Sequence, residues 1–128
     1  MNILKYQDYK DLLVWQRSMQ LAKVIYLLIN KLPKEEMYAL SNQMRRAAVS
    51  IPSNIAEGQA RNSNREFARF LSIARGSKAE LQTQLLICVD IGYLLEEDIN
   101  EAMSLAEEIG KMLSSLAQRM KITVDSVQ

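Results

Sequence analysis

The chain has 128 residues and a formal net charge of +1, with 16 Lys and Arg against 15 Asp and Glu. This length suits one domain with a hydrophobic core, and the near-zero charge excludes an overall electrostatic attraction to nucleic acid. Nearly half of the residues are hydrophobic, glycine and proline are scarce, and strong helix formers dominate the remainder. The composition therefore predicts an all-α protein.

The residue types also limit the chemistry. The chain contains no histidine, so the commonest general base and the commonest metal ligand are missing. Cys88 is the only cysteine and lies in an apolar run, so we expect a buried thiol and no disulfide. Because there is no apolar run of membrane-spanning length and no secretory signal, we expect a cytoplasmic protein. We identify no catalytic residue, metal site, cofactor or small-molecule substrate.

The first helix is predicted over residues 10–31, and two apolar stripes run along it at helical spacing. The first stripe consists of Leu12, Trp15, Met19, Ala22, Tyr26 and Ile29. The second stripe consists of Val14, Leu21, Ile25, Leu28 and Leu32. Two stripes are more than one core contact needs, so either this helix is central or its second stripe contacts another subunit.

The second helix is predicted over residues 34–60, after a turn at Pro33. Its core stripe consists of Met37, Leu40, Met44, Ala47, Ile51 and Ile55. A separate row of polar side chains lies beside that stripe and consists of Gln43, Arg46, Ser50, Ser53, Asn54, Glu57 and Arg61. This polar seam is either a solvated helix face or a buried polar network or binding groove.

Pro52 lies inside this helical pattern. Proline lacks an N–H donor, and its ring clashes with the carbonyl four residues earlier. The helix therefore either kinks at Pro52 or ends near Ser50 and restarts. We favour a continuous, kinked helix because the core stripe and the polar seam both keep their phase across the proline.

The third helix is predicted over residues 64–91, with Ser63 and Glu66 forming a capping box at its start. Its core stripe consists of Phe67, Leu71, Ala74, Leu81, Leu85 and Cys88. A second face is apolar at both ends and polar in the middle, and consists of Glu66, Phe70, Ile73, Ser77, Glu80, Gln84, Ile87 and Ile91. Gly76 and Ser77 are small enough to let another helix approach closely.

The fourth helix is predicted over residues 97–121, after a turn in which Gly92 ends the third helix. Its apolar residues keep heptad spacing and comprise Ile99, Ala102, Ala106, Ile109, Leu113, Leu116 and Met120. Beyond Lys121 we expect the helix to fray. Four amphipathic helices joined by short turns predict one antiparallel up-down-up-down four-helix bundle over residues 1–128, with a proline-kinked second helix.

Several motifs of this chain occur together in one known family. The first helix opens with Tyr9-Lys10-Asp11-Leu12 and Val14-Trp15-Gln16. The second contains Tyr38-Ala39-Leu40, Gln43-Met44-Arg45-Arg46-Ala47 and Ser50-Ile51-Pro52-Ser53-Asn54-Ile55-Ala56-Glu57-Gly58. The third contains Glu66-Phe67 and Gly76-Ser77, followed by Glu80-Leu81. This series resembles the four-helix bundle proteins called S23 ribosomal proteins, or 23S rRNA intervening-sequence proteins.

The resemblance implies an up-down bundle that assembles into a ring, typically a homopentamer, with no enzymatic activity. Family members can be encoded inside insertions of the large-subunit rRNA gene. A distant relative is the accessory protein of diversity-generating retroelements, a basic pentameric barrel that binds nucleic acid and a reverse transcriptase. This chain departs from that relative in its near-neutral charge.

The first functional hypothesis is a non-enzymatic, homo-oligomeric scaffold or interaction protein. Glu66, Ser77 and Glu80 of the third helix complete the polar seam, which we expect to be partly buried by that helix or by another copy. Replacing Asn54 or Glu57 with alanine should then destabilise the protein by about 1–3 kcal/mol. For the carboxylates of the seam, salt bridges with arginines are favoured over a metal site.

The second hypothesis is binding of RNA or DNA, because basic residues are concentrated in the middle of the chain. Residues 45–78 carry seven basic and two acidic side chains, whereas residues 79–128 carry three basic and nine acidic ones. A basic surface of the oligomer would contact phosphates through Arg45, Arg46, Arg61, Arg65, Arg69, Arg75 and Lys78. The same polarity would also favour self-association between basic and acidic surfaces.

Overall fold

The computed structural model describes residues 8–127, and side chains up to residue 121. Within that part of the chain it contains four α-helices and no β-strand, which confirms the all-α class. The helices are α1 (Leu13–Leu28), α2 (Leu40–Ala60), α3 (Asn64–Asp90) and α4 (Glu96–Val127). The predicted domain, residues 1–128, extends beyond the described residues at both ends.

The helix ends differ from the predicted ones. Short 3₁₀ turns occupy Tyr9–Asp11 and Ile29–Lys31 at the two ends of α1. The helix predicted from residue 34 begins as a 3₁₀ turn, Lys34–Glu36, and α2 starts at Leu40 because Ala39 has a non-helical backbone. Glu36 caps this delayed start by accepting a hydrogen bond from the Leu40 N–H at 3.3 Å. The end predicted at residue 121 was wrong, since α4 continues to Val127.

Hydrogen bonds between nearby residues cap α3 at both ends. Ser63 Oγ accepts a hydrogen bond from the Glu66 N–H at 3.3 Å, which is one half of the capping box. At the other end Gly92 has a φ of +86°, a left-handed conformation that glycine adopts without strain. The N–H groups of Tyr93 and Leu94 then bond back to the Cys88 carbonyl and satisfy the last turn.

The core is formed mainly by one stripe from each helix. On α1 the buried residues are those of the second predicted stripe, including Val14, Leu21 and Ile25. The first stripe is divided: Leu12 and Ile29 at its ends are buried, Trp15 and Ala22 pack against the core edge, and Met19 and Tyr26 are each 46% exposed. The stripe that we considered for contact with another subunit is therefore a core stripe, and only Met19 and Tyr26 of the other stripe are exposed.

Each helix packs against its neighbours in the sequence, and α1 also packs against α4. Three residue pairs mark the contact between α2 and α3: Met44 with Cys88, Ser50 with Ser77, and Gly58 with Phe70. Three ion or hydrogen-bonded pairs join α4 to its neighbours: Gln82 with Glu107, Arg17 with Glu108, and Lys31 with Asp98. In the first set, residue numbers rise along α2 as they fall along α3. They also rise from Arg17 to Lys31 as they fall from Glu108 to Asp98 along α4.

Pro52 is buried inside α2, which is assigned as one uninterrupted α-helix from Leu40 to Ala60. This continuity excludes the alternative in which the helix ends near Ser50 and restarts. The kink at Pro52 stays a prediction.

α2 and α3 approach each other closely at Gly58, whereas Gly76 takes no part in a close contact. A Cβ built on Gly58 would lie 2.6 Å from Phe70 Cβ and 3.1 Å from Phe67 Cδ1, whereas a Cβ on Gly76 would have no neighbour within 4 Å. Glycine at position 58 therefore sets the distance between the two helices, and Gly76 is open on the outer surface.

We predict that Gly58→Ala destabilises the protein by about 1–2 kcal/mol. Overpacking against the Phe70 Cβ costs about 1–3 kcal/mol because neither helix backbone can yield easily. The better helix propensity of alanine, about 1 kcal/mol, offsets part of that cost. Denaturant unfolding followed by circular dichroism gives the difference.

Gly110→Ala is the matched control. Its new Cβ would lie 2.9 Å from Lys78 Cε, the far end of a flexible side chain that can move aside. We expect an unchanged unfolding free energy or a gain of up to about 1 kcal/mol. Equal stability of the two variants would contradict the role assigned to Gly58.

Candidate interaction surface

The middle of the polar seam joins α2 to α3. Ser50 Oγ lies 2.8 Å from Ser77 Oγ, and either hydroxyl can be the donor. The side-chain amide of Asn54 donates to the Ser50 carbonyl at 2.8 Å and to Ser50 Oγ at 2.9 Å. All three residues are half-buried. This part of the seam is therefore a hydrogen-bonded contact within the chain.

The ends of the polar seam are open. Gln43, Arg46, Ser53, Glu57, Arg61 and Glu80 are exposed, and Glu66 is half-buried. Glu57 forms a surface ion pair with Arg61 at 3.2 Å, so α3 does not bury its carboxylate. Within one copy of the chain, the expectation that Glu57 is as important for stability as Asn54 is therefore wrong.

Between α2 and α3 the seam borders a groove of about 620 Å³. Its lining is mostly polar and consists of Tyr38, Ala39, Asn42, Gln43, Arg46, Ala47, Ser50, Ser77 and Glu80. Isoleucines of the second face of α3 lie at both ends: Ile73 is 40% exposed, Ile87 41% and Ile91 54%. We call the groove and these three isoleucines the α2–α3 face.

Gln84 is a feature of this region that the sequence did not single out. Its side chain is only 5% exposed although it lies on the same helical face as Glu80 and Ile87. Its Nε2 donates to Glu80 Oε2 at 3.3 Å, while its buried Oε1 has no hydrogen-bond partner within the described chain. The amide fixes the Glu80 carboxylate on the groove edge at the cost of an unpaired acceptor.

A second cluster lies at the turn between α2 and α3. The guanidinium groups of Arg61 and Arg69 lie 5.1 and 4.5 Å from the Phe70 ring centroid, which is a cation–π arrangement. Arg69 also binds Glu66 with an Nε–Oε2 distance of 3.1 Å. This hydrogen bond is the main reason why the pKa of Glu66 lies below its ordinary value and the pKa of Arg69 lies above its own. Arg61 and Arg69, two of the residues predicted to contact nucleic acid, are therefore both paired with carboxylates.

Within one copy, the seven basic residues predicted to contact phosphate do not form a single surface. Arg45 donates to the Met37 carbonyl at 3.2 Å, and Lys78 donates to Gln82 beside α4. Arg46 lines the groove, and Arg75 is exposed farther along α3. The largest group is Arg61, Arg65 and Arg69, which lie at or beside the α2–α3 turn.

The carboxylates of the seam are separately engaged. Glu57 pairs with Arg61, Glu66 with Arg69, and Glu80 accepts from Gln84. Among the described residues, no three His, Cys, Asp or Glu side chains stand together in a way that could hold a metal ion. In the same part of the chain, no helix has the length and apolar character needed to cross a membrane.

We predict that Asn54→Ala lowers the unfolding free energy by about 1–3 kcal/mol, because it removes a half-buried donor to Ser50. Glu57→Ala should change it by less than about 0.5 kcal/mol, since an exposed i,i+4 ion pair contributes little. Urea unfolding of both variants in the same buffer compares them. An Asn54→Ala protein as stable as the Glu57→Ala protein would mean that the amide is solvated.

Comparison with known proteins places the chain in a family. Residues 10–115 match the sequence model described as 23S rRNA-intervening sequence protein. A solved structure of a protein of unknown function from the S23 ribosomal protein family of Bacteroides thetaiotaomicron has the same fold, with a TM-score of 0.74. It is 24% identical, and the alignment covers 82% of this chain and 95% of that one. No curated protein sequence matches. Because the family match spans most of its length, the chain belongs to the family of 23S rRNA-intervening sequence proteins.

Proposed function

We propose that the protein is a non-enzymatic subunit of a homo-oligomer and that the α2–α3 face is a contact between copies. In this proposal the subunit is an antiparallel up-down-up-down bundle, which the opposite directions of the α2–α3 and α1–α4 contacts support. The oligomer is a ring, with the pentamer as the expected size. The subunit itself is a scaffold that presents surfaces to other molecules.

The observation that carries the proposal is the unpartnered apolar surface of α3. Ile73, Ile87 and Ile91 lie on one helical face, because they are separated by 14 and 4 residues. Each is at least 40% exposed, while the core stripe of the same helix is fully covered. A second apolar row on one side of a helix, interrupted by a polar groove, is the composition of a protein interface rather than of a solvated surface.

The chemistry of the groove supports binding rather than catalysis. Ser50 and Ser77 are its only hydroxyl pair in contact, and the groups bonded to Ser50 Oγ are that second hydroxyl and the Asn54 amide. A serine nucleophile requires an adjacent base, and neither a hydroxyl nor an amide accepts a proton at neutral pH. The hydrogen bonds hold two helices together and leave no activated nucleophile.

We predict that the purified protein sediments as an oligomer, with five times the 14.6 kDa chain mass for a pentamer. Ile87→Glu should shift the distribution to smaller species, because it places a charge in the apolar part of the α2–α3 face. Sedimentation velocity over a concentration series measures this shift.

Leu86→Glu is the matched control, since Leu86 is 50% exposed on a different side of α3. We expect this variant to sediment like the unmodified protein. A monomer at every concentration would overturn the proposal, and equal effects of the two substitutions would show that the contact is elsewhere.

A second proposal is nucleic-acid binding at the α2–α3 turn. Arg61, Arg65 and Arg69 lie at or beside this turn, and the N-terminus of α3, whose N–H groups and dipole favour phosphate, faces the same end. Glu57 and Glu66 neutralise two of the three guanidinium groups. Binding through this site would therefore be weak, electrostatic and insensitive to sequence.

For this second proposal we expect a single-stranded RNA to bind at low salt, with an affinity that falls as salt is raised. Arg65→Ala should weaken binding more than Arg75→Ala, because Arg75 is exposed but lies away from the turn. Fluorescence anisotropy at several salt concentrations measures both effects. Absence of binding at low salt, or equal effects of the two variants, would eliminate the turn as a nucleic-acid site.

A further inference from the structure

The outward side of α1 carries a second unpartnered surface. Met19 and Tyr26 are each 46% exposed, and Trp15 continues their row at the half-buried edge of the bundle. Lys23 lies between Met19 and Tyr26 along the helix and is exposed. We call Trp15, Met19, Lys23 and Tyr26 the α1 face. Among the described residues, no ion pair involves Lys23, whereas Arg17 is paired with Glu108 at 3.1 Å.

The α1 face and the α2–α3 face point in different directions. Both α1 and α3 pack against α2 and α4, so they occupy opposite corners of the four-helix arrangement. The outward sides of two helices at opposite corners are turned away from each other. A subunit therefore exposes two separate apolar surfaces, and a single neighbour that binds one of them leaves the other free.

The middle of each face carries a charged side chain, and these two charges are opposite in sign. The α1 face has a lysine flanked by Met19 and Tyr26, and α1 from Leu13 to Leu28 contains no acidic residue. The α2–α3 face has Glu80 midway between Ile73 and Ile87, seven residues or about 10 Å from each. Next to it Gly76 leaves open space into which a large side chain can reach.

We propose that the α1 face of one copy binds the α2–α3 face of the next, with Lys23 placed opposite Glu80 of the partner subunit. This inference rests on the proposed self-association and specifies its geometry. The contact is heterologous, so each subunit uses two different patches and the assembly closes into a ring or continues as a filament. A two-fold contact of the α1 face with itself would bring two Lys23 ammonium groups together, and like charges oppose such a contact.

The test is a mixing experiment with one variant for each face. Met19→Glu alters the α1 face and Ile87→Glu alters the α2–α3 face; both positions are exposed, and circular dichroism checks that each variant keeps its helix content. Every contact needs one intact α1 face and one intact α2–α3 face. Each variant alone lacks one of these two faces and should sediment as a monomer. Mixed in equal amounts, the two variants retain one intact pair of faces and should form a species of twice the chain mass.

A charge exchange tests the predicted pair independently. Lys23→Glu should raise the concentration needed for assembly at least tenfold, and adding Glu80→Lys in the same chain should restore it, because the opposite charges face each other again. A Lys23→Gln variant separates loss of attraction from repulsion and should have an intermediate effect.

The outcomes separate this inference from the proposed function. Normal assembly of Met19→Glu together with a monomeric Ile87→Glu would mean that copies meet through α3 alone, which overturns the heterologous contact and leaves self-association standing. Two monomeric variants that form no complex on mixing would also overturn it. A wild-type protein that is monomeric at every concentration would refute both.

Discussion

The close contact between α2 and α3 determines how the remaining surfaces of this protein are arranged. At one end Gly58 lets α2 lie directly against Phe70, and in the middle the Ser50 and Ser77 hydroxyls meet at 2.8 Å. Gly58 has no room for a Cβ and the two hydroxyls are in hydrogen-bond contact, so the two helices are held at a short distance along the polar seam. Their outward sides then form one continuous surface with the groove between them.

This contact involves only some of the polar side chains of the seam. Asn54 and the two serines are bonded to one another, whereas Arg46 and Glu80 remain on the groove edges without an ion pair between them in the described chain. A buried amide, Gln84, holds Glu80 in place although its own oxygen is unpaired. In the proposed assembly, this surface of fixed polar groups between exposed isoleucines binds a second copy, which supplies complementary charge through Lys23.

Features governed by neighbouring residues were predictable from the sequence. The capping box at Ser63 and the left-handed turn at Gly92 depend on a few adjacent positions, and the apolar period located all four helices. The sequence could not decide which residues of the two α1 stripes are buried, because both stripes have the same period and only the positions of α2 and α4 distinguish them. The importance of Gly58 was hidden for a similar reason: nothing near it in the sequence shows that Phe70 will lie opposite. The polar seam was found as a row, but its division into bonded and open parts depends on the approach of α3.

The central claim is that the α2–α3 face is covered by another copy of the chain. Carbodiimide labelling of carboxylates, read out by mass spectrometry, tests it directly on the unmodified protein, with Glu101 of α4 as an exposed internal reference. At concentrations that favour assembly, Glu80 should be labelled several-fold more slowly than Glu101, and the difference should shrink on dilution. Equal labelling rates of Glu80 and Glu101 at all concentrations would contradict the account.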